Sequence, residues 1–163
     1  MSQAAFRAAG QALAALWQGA PIDHVDIDGV ALDWPDEPTR KQAREQAKIE
    51  IAIGLTGIVA QDRYRFGWVP GHEFVGSWQF DEGQLEDFGL VRTLVAEIEL
   101  DDADLLYRSW CHALKFASHL ANWPTIGLIA DALEHRWLNT TEVEKIAAHA
   151  FWGGVIARLE VAG

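Results

Sequence analysis

Apolar residues set the first boundaries along this chain. From Ser2 to Gln18, Phe6, Ala9, Leu13, Leu16 and Trp17 recur at steps of three and four, the spacing that gathers side chains on one stripe of a helix. Ser2 can cap its start, and Gly19 with Pro21 marks its end. The period then changes. His24 to Ile27 and Val30 to Asp33 flank Asp28-Gly29, a pair tolerant of positive φ, which predicts a short hairpin turning on those two residues. After the proline-bounded loop Trp34 to Pro38, Thr39 can cap a second helix reaching about Arg65. Its later half carries Ile51, Ala52, Leu55, Ile58 and Val59, and this density of apolar residues predicts a central position.

Gly67 to Gly83 combines glycines and a proline with Trp68, Phe74, Trp78 and Phe80, and reads as a long loop with room for brief strands. A third helix is predicted over Leu85 to Ile98. Asp101 and Asp102 open a fourth that runs to about Ala121, with acids at its positive end. Pro124 suits the first turn of a fifth helix ending near Arg136, and Thr141 with Glu144 has capping-box spacing for a last one through His149, Trp152 and Ile156. The pattern therefore predicts a mainly α (α+β) chain: about six helices, with a small hairpin or sheet between the first two. At 163 residues, without repeats or linkers, residues 1–163 read as a single domain.

Charge narrows the partners. Thirteen Lys and Arg against twenty-four Asp and Glu give a net charge of −11, so nucleic acid and anionic membranes would repel the chain at long range. An acidic surface can also imitate DNA for a basic partner, although acidity more often serves solubility. The single cysteine, Cys111, allows no internal disulfide or cysteine-based zinc site, and neither a signal peptide nor a membrane-spanning run is evident. A soluble protein of the cytoplasm is expected.

Three short matches occur in order within roughly Gln3 to Val91. Phe6-Arg7-Ala8-Ala9-Gly10-Gln11-Ala12-Leu13 leads into Gly19-Ala20-Pro21-Ile22-Asp23-His24-Val25; Gly54-Leu55-Thr56-Gly57-Ile58-Val59-Ala60-Gln61 lies on the second helix; Gly83-Gln84-Leu85-Glu86-Asp87 opens the third. Together they resemble the peptidase domain of FtsH-type zinc metallopeptidases, including small stand-alone relatives without an ATPase domain. Trp123-Pro124-Thr125-Ile126 adds a weaker echo. In that family the first helix reads His-Glu-Ala-Gly-His-Ala. Two histidines four apart on a helix grip one zinc, the glutamate activates its water, and a downstream aspartate is the third ligand.

This chain carries Arg7 and Gln11 at the ligand positions and Ala8 at the glutamate position; only Asp87 is kept. Arginine offers donors and a fixed positive charge, so it does not ligate a cation. The resemblance thus implies the peptidase fold without zinc, cofactor or catalytic residue. It also suggests that Arg7 and Gln11, one turn apart, meet Asp87, with the guanidinium standing where a metal would be. The alternative is a solvated Arg7 and an Asp87 that merely caps the third helix.

Other residues point less sharply. His72-Glu73 continues into Phe74-Val75-Gly76-Ser77 without a second histidine. His112 and His119 share a helix face but lie two turns apart, and Cys111 and His112 point about 100° apart, so neither pair forms a ready site. Gly67, Gly71 and Gly76 lack phosphate-loop spacing. Trp68 and Trp78, with His72 and Glu73 in the same loop, are candidate partner-binding residues, whereas Trp110 and Trp152 are expected in the core. The leading expectation is an inactive peptidase-like domain that binds another protein through the old cleft or this loop. The alternatives are an enzyme using Asp87, His72, Glu73 and His24, and an acidic inhibitor or DNA mimic.

Overall fold

The computed structural model describes residues 1–67, 80–98 and 102–150. Among them the chain forms α1 (Gln3–Gln18), β1 (Ile22–Asp26), β2 (Gly29–Leu32), α2 (Arg40–Phe66), α3 (Glu82–Glu97), α4 (Asp102–Ser118), α5 (Asn122–Leu133) and α6, described over residues 140–150. This is the mainly helical architecture that the periodicity predicts, with one antiparallel pair between the first two helices. No helix among the described residues is long and apolar enough to cross a membrane.

The caps of α1 and α2 follow the sequence. The Ser2 hydroxyl accepts the Ala5 N–H at 3.1 Å, and Gly19 closes α1 in the left-handed conformation at φ 68°. Thr39 and Gln42 form a reciprocal capping box on α2. The later half of α2 is central: Ile51, Leu55, Ile58 and Val59 are wholly buried. Its approach to α1 depends on residues without side-chain bulk. A Cβ on Gly10 would lie 2.6 Å from the Ala60 Cβ and 2.9 Å from the Thr56 carbonyl oxygen, and one on Gly57 would lie 3.0 Å from the Arg7 carbonyl oxygen. The two backbones are therefore nearly in contact, which fixes Arg7 and Gln11 relative to everything that packs on α2.

Five details differ from the pattern-based reading, the simplest being that α5 ends at Leu133, short of Arg136. The hairpin pairs Asp26 with Gly29, so it turns on Ile27-Asp28 and not on Asp28-Gly29. Asp26 explains the shift: its Oδ1 accepts the N–H groups of both Asp28 and Gly29, a side-chain-built turn that needs no positive φ at its centre. Gly29 follows at φ 146°, where the Gln11 amide oxygen would lie 2.6 Å from any Cβ. Helix α3 starts before Leu85 because Asp81 caps it and Gln84 completes a capping box. Asp87 is therefore not its cap.

Helix α4 ends at Ser118, short of Ala121, and the Asn122 amide donates to the Phe116 carbonyl just beyond it. The cap of α6 is Asn139, whose side chain accepts the Glu142 N–H at 2.9 Å while Glu142 accepts the Asn139 N–H at 2.9 Å; the expected Thr141 and Glu144 box is displaced. Leu138 causes this, because it exchanges two 2.8 Å backbone bonds with Val25 and so holds the chain extended until Asn139. Trp110 is buried as expected, whereas His112 and His119 lie at the exposed edge of the α4 region. Trp152 lies outside the described residues.

Candidate functional site

Arg7 and Gln11 sit one turn apart on α1, and Asp87 faces them from α3. Gln11 Nε2 donates to Asp87 Oδ2 at 2.8 Å, and Arg7 Nη1 approaches the same oxygen at 3.4 Å. Gln11 has a second partner: its amide oxygen accepts the Val30 N–H of β2 at 3.2 Å. One amide therefore ties helix, strand and helix together. The guanidinium lies against the first turn of α3, where a Cβ on Gly83 would fall on its nitrogens and central carbon. A side chain at position 83 would therefore displace the guanidinium from its present place beside Asp87. Ala8 is fully buried and contributes packing alone.

Burial pushes the Asp87 carboxyl up to about 6, against the pull of Arg7 and the Gln11 hydrogen bond, with Glu86 adding a smaller push upward. The cationic neighbour thus fails to compensate fully for lost solvent. That follows from its geometry, because the guanidinium contact is single and 3.4 Å long, without the paired short bonds of a fork-to-fork bridge. Asp87 is poised to change protonation in mildly acidic solution.

Beside the triad lies a cavity of about 270 Å³ between β2, α2 and α3. Leu32, Ile53, Leu90 and Val91 supply apolar walls; Gln11, Asp87, Asp28 and Glu50 supply polar ones. Glu50 accepts a 2.8 Å bond from the Trp34 indole and so anchors the loop before α2. Neither Glu50 nor Trp34 stood out in the sequence, because their pairing spans a loop and a helix.

The donor set decides what this site can bind. Arg7 and the Gln11 amide nitrogen present N–H groups to Asp87, and the Gln11 oxygen is engaged by Val30, so that of these three side chains Asp87 alone is a strong ligand for a cation. Among the described residues, no group of three or more His, Cys, Asp and Glu is placed to hold a metal ion. His24 does not join Asp87; it lines a separate cavity with Asp23 and Asp26. Trp68, Trp78, His72 and Glu73 lie outside the described residues.

A second polar cluster supports the site from beneath. The fully buried Gln84 donates to Asp62 Oδ1 at 2.7 Å and to the Ile58 carbonyl at 3.2 Å, and accepts the Asp81 N–H at 3.0 Å. Gln61 donates to Asp81 and Gln3. Burial raises the Asp62 carboxyl above its ordinary range, opposed chiefly by the Gln84 bond. These interactions register α3 on α2, and with it Asp87 on α1. Their sequence signature is faint: Gln61-Asp62 and Gln84 are polar residues at positions where the helical repeat turns inward. Comparison with protein-family models, curated proteins and solved structures gives no match.

Proposed function

We propose that this chain is a peptidase-like domain of the FtsH type that has lost hydrolysis and acts by binding another protein, in the cytoplasm. One observation carries the reading: a guanidinium and an amide converge on a single oxygen of Asp87, in the order along the chain in which the family presents two imidazoles and an aspartate to zinc. Hydrogen-bond donors replace metal there, and they keep α1, β2 and α3 in register without it. The apolar walls of the neighbouring cavity then serve to receive a partner segment, and its carboxylates favour a basic one.

The test rebuilds the ligands. Purified wild-type protein dialysed against zinc should retain none and should leave casein and peptide substrates uncut. The double variant Arg7→His/Gln11→His should bind about one zinc per chain through both imidazoles and Asp87, and Asp87→Ala in that background should abolish it. Stoichiometric zinc in the wild type, or a folded double variant that binds none, overturns the reading. For the partner, a photoreactive residue at Leu90, which is 58% exposed beside the cavity, should cross-link a protein more efficiently than one at Leu128, 46% exposed on α5. Equal yields would reject the cleft as the binding surface.

A further inference from the structure

An isolated antiparallel bridge between Val25 and Leu138 lays one extended residue beside the hairpin, and the alternation of side chains about that bridge sorts its neighbours. Val25 and Leu138 point inward and are wholly buried. His24 and Asp26 on one side of the bridge, and Trp137 and Asn139 on the other, are directed to the opposite face. Together with Asp23 they line an open surface cavity of about 500 Å³. It shares no lining residue with the cleft beside Asp87.

The lining has one chemical sense. His24 stands between two carboxylates, with Nδ1 2.7 Å from Asp23 Oδ2 and Nε2 3.7 Å from Asp26 Oδ2. Two carboxylates and one imidazole leave the group net negative whether or not the ring is protonated. Asp26 is held from behind by the turn N–H groups of Asp28 and Gly29 on its other oxygen, so its position is fixed before any ligand arrives. Trp137 completes the wall: it packs edge-on against His24 at 6.5 Å, yet is 60% exposed. An indole left open to solvent beside paired carboxylates is the combination that attracts an organic cation, by charge and by the negative face of the ring. The remaining member, Asn139, is fixed by its cap on α6.

We propose that this cavity is a binding site for an alkylammonium group, carried either by a small molecule or by a lysine side chain of a polypeptide. The proposal does not depend on the peptidase-like reading of the Asp87 cleft. Fluorine NMR of protein containing 5-fluorotryptophan, with the Trp137 resonance assigned by Trp137→Phe, tests it directly. Tetramethylammonium and a short lysine-containing peptide should each shift that resonance saturably, while the uncharged isostere tert-butanol should not. Asp23→Asn and Asp26→Asn should each weaken the response about tenfold, and Trp137→Ala, at an exposed position, should weaken tetramethylammonium binding similarly when read by calorimetry. Tighter binding of the peptide assigns the site to lysine, and tighter binding of tetramethylammonium assigns it to a small quaternary amine; both support the proposal. A Trp137 signal that does not saturate, responds equally to tert-butanol, or is unchanged by both Asp substitutions overturns it.

Discussion

Asp87 illustrates how a residue's chemistry here depends on its surroundings more than on its identity. Its carboxyl is raised to about 6 by burial, although Arg7 and Gln11 both reach it. The folded state therefore holds a proton more tightly than the unfolded chain does, and ionisation disfavours folding. The cost is absent below the ordinary aspartate range, grows as pH rises towards 6, and is complete above it. Asp87→Asn, which resembles the protonated form and still accepts hydrogen bonds, should match wild type near pH 4 and exceed it at pH 7 by about 1–3 kcal/mol. Urea denaturation at the two pH values measures this; an Asn variant less stable than wild type at pH 7 would mean that the Arg7 contact outweighs desolvation.

Helix α3 is joined to the rest of the fold by a mixed surface. Phe88, Val91 and Val95 bury their side chains, but its first turn is secured by polar bonds from Asp81 and Gln84. Gln84→Ala removes half of the capping box and strips the buried Asp62 of its short amide bond. The loss should reach about 2–4 kcal/mol, because an unsatisfied buried carboxylate adds to the lost cap. It should also be larger at pH 7 than at pH 5, since losing Gln84 takes away the chief interaction that holds the Asp62 carboxyl down. A loss under about 0.5 kcal/mol would show that apolar packing alone positions this helix.

Over the molecule as a whole, a net charge of −11 works against compaction. Exposed pairs such as Lys48 with Glu45 and Arg108 with Asp104 contribute little against it, because water and salt screen them. Sodium chloride raised from about 20 mM to about 500 mM at pH 8 should therefore increase the melting temperature by several degrees. A decrease would mean that the surface ion pairs outweigh the general repulsion.

The sequence by itself determined the helical class, the ends of α1 and α2, and the place of the hairpin, because these follow from local period and capping within a few residues. It also brought Arg7, Gln11 and Asp87 under consideration together, through order and spacing. Tertiary structure alone decided the rest. Whether those three side chains meet depends on the close approach of α1 to α2 at Gly10 and Gly57, and the place of the Arg7 guanidinium also on the space left at Gly83, contacts between residues far apart in the chain. The true turn of the hairpin, the cap of α6 and the cavity beside Trp137 likewise arise from the pairing of Val25 with Leu138 and from side chains that bond the backbone. Periodicity records which face of an element turns inward; it carries no information on what that face then touches.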